Sequence, residues 1–370
     1  MFKNLIILSI GLVTLFSCSK LGLKPEPVKS ATKFFKPIWI KNMDVSHDTG
    51  NLPIGLQSPV IEEGILYIGN NSGSMEAYEA LNGRKVWSEK ESGDYHAAPI
   101  VYKQMVIYGN VEGRLFSRDR FSGNLLYSVD VGAAVESQPQ LFNGRLLVHT
   151  RNHKVVCLDA LTGKILWAYK RSVPFLTTLQ RVSRPLVRDN KVYVGFADGF
   201  VAAFSIEEGI LLWETKAVDG PKFIDVDTQP IFYGKNIVVG SQSGPMTVIN
   251  PAGGLIMRRV PYNLSRAPIT YKGNLILGTA EGEVVILDND FKVIASKTIT
   301  TDGITGLALW KDHLTVATTG GELVSLSMDL KREIERFDFG HANSALFGRL
   351  VVREEKLAAY SSRNRLYVFQ

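Results

Sequence analysis

The sequence predicts an all-β chain folded as one eight-bladed β-propeller, with four antiparallel strands per blade. Three observations carry that expectation. A template recurs along the chain, each copy holds four short apolar runs, and no stretch shows a sustained helical period with caps.

The copies beginning at Pro59, Pro99, Pro139, Pro185, Pro230 and Pro268 share one layout. Ten residues on stand Gly69, Gly109, His149, Gly195, Gly240 and Gly278, and four further on Gly73, Gly113, His153, Gly199, Gly244 and Gly282. Two more copies lack the proline: Leu307 leads to Ala317 and Gly321, and Leu350 leads to Tyr360 and Asn364. The last is plain beside the fourth, R-P-L-V-R-D-N-K-V-Y-V-G at 184–195 against R-L-V-V-R-E-E-K-L-A-A-Y at 349–360. In the first copy the strands are expected at Pro59–Ile61, Ile65–Ile68, Met75–Tyr78 and Lys85–Trp87, separated by turn residues. Both glycines of each pair read as turn positions needing φ > 0, a conformation that His153 and Asn364 can also adopt. The pair His149 and His153 falls on these template positions, so a structural role is expected and no metal. Trp87, Trp167 and Trp213, near the ends of fourth strands, should pack between blades. Cys157 should be a small buried hydrophobe on a strand.

The eighth copy stops at Gln370 after its third strand. Pro37-Ile38-Trp39-Ile40, ahead of the first copy, repeats the fourth-strand pattern of Ile165-Leu166-Trp167 and Leu211-Leu212-Trp213. The N-terminal strand should therefore complete the last blade and satisfy its open edge. The expected organisation is a signal peptide at 1–17, a flexible tether at 18–35 headed by Cys18, whose acylation rests on a resemblance, and a propeller at 36–370. Lys3 and the apolar run Leu5–Phe16 form an export signal too short to span a membrane. Leu15-Phe16-Ser17-Cys18 resembles the lipobox of bacterial lipoproteins, which implies lipidation at Cys18. Ser19, with no aspartate there, implies the outer membrane. Pro25, Pro27 and Ser30 suit a tether.

The net charge of +6 is spread without a basic run, which gives no footprint for nucleic acid. There is no zinc signature, paired-cysteine motif, nucleophile elbow or phosphate loop; A-L-T-G-K at 160–164 lacks the upstream glycine and following Ser/Thr of a P-loop. No catalytic constellation is visible.

The runs C-L-D-A-L-T-G-K-I-L-W at 157–167 and A-Y-E-A-L-N-G-R-K-V-W at 77–87 resemble the repeat of the pyrroloquinoline-quinone (PQQ) dehydrogenases. The same repeat builds the BamB family, propeller lipoproteins of the outer-membrane β-barrel assembly machinery. Length, lipobox, eight copies and the missing vicinal cysteine pair favour the BamB family over the enzymes. The resemblance implies a non-enzymatic scaffold without cofactor, lipid-anchored at the periplasmic face of the outer membrane. It would assist folding and insertion of outer-membrane proteins, with unfolded clients as further partners. The alternatives are a PQQ-dependent dehydrogenase-like enzyme and a generic periplasmic protein-interaction propeller.

The copies are spaced near 40 residues, except for 46 from Pro139 to Pro185 and 45 from Pro185 to Pro230. The extra length falls in two consecutive interblade linkers, near 171–183 and 214–228, which lie on one face and are expected to form a binding surface. Asp225-Val226-Asp227-Thr228-Gln229-Pro230 matches a D-V-D-T-x-P stretch that, in the BamB family, forms the contact to the periplasmic domains of BamA with the preceding loop. Thr177-Thr178-Leu179-Gln180-Arg181 occupies the place of that loop's leucine-rich stretch, with Arg181 one position off the family's arginine. The resemblance implies partner binding by Leu179, Arg181, Asp225 and Asp227: an exposed apolar anchor beside a charged rim. Side-chain capping of a turn is the plainer reading of the two aspartates.

Overall fold

Eight four-stranded antiparallel sheets follow one another around a ring. The computed structural model describes residues 33–43, 54–173, 182–264, 266–340 and 344–370. Blade 1 consists of Val60–Glu62, Ile65–Gly69, Ser74–Glu79 and Lys85–Lys90. Blades 2 to 7 repeat that order, starting at Ile100, Gln140, Leu186, Ile231, Ile269 and Ile304. Blade 8 takes Val351–Arg353, Lys356–Tyr360 and Arg365–Phe369 from the C-terminal end, and Pro37–Asn42 from the N-terminal end. Its register pairs Trp39 with Val368 and Ile40 with Tyr367. The ring is closed as the sequence predicts, and the described residues contain no helix.

Burial follows from stacking sheets face to face. The second and third strands are covered on both faces and read as continuous apolar runs, such as Ile65–Gly69 and Lys154–Asp159, whose Cys157 is fully buried. The outermost strands alternate between exposed and half-buried positions, as in Ile165–Lys170. Trp87, Trp167 and Trp213 sit third in these outer strands, each over a turn glycine of the next blade: Gly123, Gly209 and Gly254. Their indole N–H groups donate to the carbonyls of Arg120, Ile206 and Pro251 at 2.9, 2.9 and 3.0 Å. Trp39 does the same to Gly83 and Ala80 across the closure.

The glycine pairs divide into two jobs, where the sequence suggested one. The second position is a left-handed turn in every copy but that of Gly244: φ is +79° at Gly73, and His153 and Asn364 keep it at +60° and +57°. The first position, which ends or follows the second strand, is not in the left-handed region. There a side chain would collide with the interblade linker. A Cβ on Gly195 would lie 2.4 Å from the Val226 carbonyl, and one on Gly109 would lie 2.6 Å from the Val135 Cβ. Close approach, not turn geometry, selects glycine at these sites.

The propeller reaches further toward the N-terminus than the expected boundary at 36. Phe35 is fully buried against Trp310, Phe337 and Phe369, and Phe34 packs edge-on to Trp310 and His313. The Glu335 carboxylate accepts the backbone N–H groups of Lys33, Phe34 and Phe35. Residues 33–35 thus belong to the folded ring.

Candidate functional site

Each blade's first strand starts at one face of the ring and its fourth strand ends there, so the interblade linkers share that face. Residues 33–35 enter on the opposite face, because Phe34 packs on the turn between the first two strands of blade 7, where Trp310 pairs with His313. The long linkers and the N-terminal segment are therefore separated by the thickness of the ring.

The first long linker leaves blade 3 at Arg171. Its guanidinium bonds to the carboxylates of Asp198 and Glu214, both at 2.6 Å, and lies 4.4 Å from the centre of the Phe200 ring. Ion pairing and cation–π contact together fix where the linker starts. It ends at Ser183, whose hydroxyl donates to the Gly195 carbonyl and accepts from the Gly195 N–H. Thr177, Thr178, Leu179, Gln180 and Arg181 lie outside the described residues, as does Cys18.

His149 and His153 support this linker from below. His149 Nδ1 donates to the Ser183 carbonyl at 2.9 Å, and its ring packs edge-on to Phe196. Complete burial pushes the His149 pKa down to about 3, and burial also lowers that of His153. Both imidazoles are neutral at physiological pH.

The second long linker is built by its own D-V-D-T residues. Val226 is fully buried over Gly195, and its N–H donates to the Phe196 carbonyl at 3.1 Å. Thr228 repeats the Ser183 clamp, donating to the Gly240 carbonyl and accepting from the Gly240 N–H at 3.0 and 2.8 Å. Two of the motif's residues are thus structural. The aspartates, expected together on an exposed rim, part company. Asp225 is only 1 % exposed, whereas Asp227 is half-buried and lines the mouth of the central channel. Between two alternating clamps on extended backbone, the residues flanking Val226 are held rigidly, which the linear motif could not show.

Sequence reasoning missed Phe223. It stands at the tip of the same linker, 45 % exposed, with φ at +57°. An exposed aromatic in the left-handed region is both strained and unshielded. Phe-Ile-Asp in a long linker gives no signal of this in sequence, because neither φ nor exposure is visible there.

On the axis, the starts of all eight blades surround a cavity of about 530 Å³ open to the linker face. Arg184, Arg266, Arg349, Glu136 and Asp227 bring the charges to its lining. Among the described residues no three His, Cys, Asp or Glu side chains converge to hold a metal.

The family model described as outer membrane protein assembly factor BamB matches residues 36–138 and 112–260, more than half of the chain. The chain is similar to outer membrane protein assembly factor BamB of Shewanella oneidensis, 23 % identical over 99 % of this chain and 98 % of that protein. The structure is similar to the crystal structure of BamB from Moraxella catarrhalis, with a TM-score of 0.76 at 18 % identity over 91 % of this chain and 99 % of the other. It also superposes on a quinohemoprotein alcohol dehydrogenase from Comamonas testosteroni, with a TM-score of 0.72 at 12 % identity over 92 % of this chain and 77 % of the other, a likeness of fold alone. The chain belongs to the BamB family of outer membrane protein assembly factors.

Proposed function

We propose that this chain is a non-catalytic scaffold that docks on the periplasmic domains of BamA. In this reading Cys18 carries the lipid that holds it at the periplasmic face of the outer membrane, and the docked propeller assists folding and insertion of outer-membrane proteins, some of which it contacts while unfolded. The observation that carries the reading is the linker at 214–228. Val226 and Thr228 fix its backbone so that Asp227 faces the channel mouth and Phe223 projects from its tip. An exposed aromatic anchor on the same linker as a partly desolvated charge is an arrangement that can concentrate binding energy at an interface. Asp225, being buried, holds the linker's shape, while Leu179 and Arg181 of the neighbouring linker complete the contact. Entry of residues 33–35 on the far face keeps the tether clear of the docking face.

An enzymatic reading would need PQQ and a calcium ion over the axis. Calcium takes six to eight oxygens, and the axial cavity presents three arginines, with Glu136 already bonded by Arg151 at 3.3 Å. These residues do not fit that group. The test of the docking reading is a pull-down of the native lipoprotein from solubilised outer membranes, beside a folded Phe223→Ala/Asp227→Ala variant. Recovery of BamA with the native protein and its loss with the variant supports the reading. Equal recovery removes this linker from it.

A further inference from the structure

One template position, two residues before the innermost strand in seven blades and at Gly306 in blade 7, rings the axial cavity, and it is arginine in two of the eight blades: Arg184 in blade 4 and Arg349 in blade 8. In an eight-membered ring these blades stand opposite one another. Arg349 crosses the lumen to donate to the Gln229 side-chain carbonyl of blade 5, and Arg266 donates to the Phe347 carbonyl. Arg184 reaches only the Pro139 carbonyl, at 3.5 Å, and its buried Nε has no hydrogen-bond partner among the described residues.

Neither Arg184 nor Arg349 is ion-paired with a described residue. Of the two carboxylates that line the cavity, Glu136 is held by Arg151 at 3.3 Å and His96 at 3.5 Å, and Asp227 is engaged as well. Burial, with the Arg349 charge adding to it, pulls the Arg184 pKa down to about 9. Arg349 is exposed to the lumen yet ringed by protein, and burial lowers its pKa too. Two uncompensated guanidinium groups facing each other are unfavourable unless something negative sits between them. The guanidinium fork matches the planar oxygens of carboxylate and phosphate, and a cavity of about 530 Å³ has the volume of a small-ligand site.

We propose that the axial cavity is an oxyanion-binding site, in which Arg184 and Arg349 close on a carboxylate or phosphate group from opposite sides. The oxyanion is a free small ion or an acidic side chain of a polypeptide reaching in from the linker face. The site shares its mouth with Asp227 of the docking reading, but neither of its two arginines belongs to that reading, so replacing them leaves the docking residues in place.

The test is calorimetric titration of the full lipoprotein in detergent, at constant ionic strength, with inorganic phosphate, citrate and a hexaglutamate peptide. The parent is compared with Arg184→Gln, Arg349→Gln, the double variant, and Lys164→Gln, exposed on a turn of the opposite face, as a control outside the cavity. Loss of one charge-assisted contact is expected to weaken binding by about tenfold or more, with the control unchanged. Without oxyanion, Arg184→Gln should melt no lower than the parent, because it removes an unpaired charge. Binding of phosphate or citrate identifies a free-ion site, and binding of the peptide alone identifies a polypeptide carboxylate. No binding by any of the three at millimolar concentration, or binding that survives the double variant, overturns the proposal.

Discussion

Gly195→Ala separates the shape of the docking linker from its chemistry. A Cβ at this position would sit 2.4 Å from the Val226 carbonyl oxygen and 2.7 Å from Val226 Cγ1, against an ordinary contact of 3.4–4 Å. The backbone between Asp225 and Asp227 must therefore retreat by about 1 Å. Overpacking of this kind costs ~1–3 kcal/mol, and here the displaced atoms carry the proposed contact. Gly109→Ala is the matched control, with its Cβ 2.6 Å from Val135 Cβ in a short linker far from residue 223. Urea unfolding should show similar losses for both variants. BamA recovery from solubilised membranes should fall for Gly195→Ala and persist for Gly109→Ala. The reasoning is refuted if Gly195→Ala costs under ~0.5 kcal/mol, within the ordinary range for a surface change. Full recovery of BamA despite the expected destabilisation refutes it equally.

Three other outcomes follow from the packing. His149 titrates near its ordinary 6.5 when unfolded but at about 3 when folded, so the unfolded state takes up more protons below 6.5. Its contribution is intact above that value and is lost as pH falls toward 3, by ~2 kcal/mol at pH 5; unfolding midpoints measured across this range should flatten in His149→Gln. Trp87→Ala should cost ~3–5 kcal/mol in urea unfolding by emptying the seam over Gly123, whereas Trp87→Phe should cost ~1 kcal/mol, since the Arg120 carbonyl keeps its bond from Tyr67. The Cys157 thiol, buried and pushed up to about 11, should resist alkylation in the native protein at neutral pH and react on unfolding, as followed by mass spectrometry.

The ring was legible because its signals are periodic and local. Turn residues and short strands recur in all or nearly all of the eight blades and the outer-strand tryptophan in four of them, so the blade count and the closure by Pro37–Asn42 follow from spacing alone. The glycines were located correctly but half of their reason was not. Gly195 faces Val226 across a gap of thirty-one positions in sequence, and close approach between distant residues leaves no local pattern. The site was legible only as a motif. Nothing in D-V-D-T distinguishes Asp225, turned into the ring, from Asp227 at the channel mouth, because on a clamped irregular linker orientation comes from tertiary bonds such as Thr228 to Gly240. Phe223 was invisible for the same reason. Arg184 and Arg349 were aligned in sequence as equivalent template positions, but that they oppose one another across a lumen needs the ring.

Site-specific photocrosslinking in intact outer membranes tests the docking claim most directly. A photoreactive residue would replace Phe223 on the linker face, and in a second strain Leu161, which is 48 % exposed at a turn on the opposite face. The account predicts an adduct with BamA from position 223 and none from position 161. An adduct from 161 alone, or from neither while the propeller is present and folded, would contradict it.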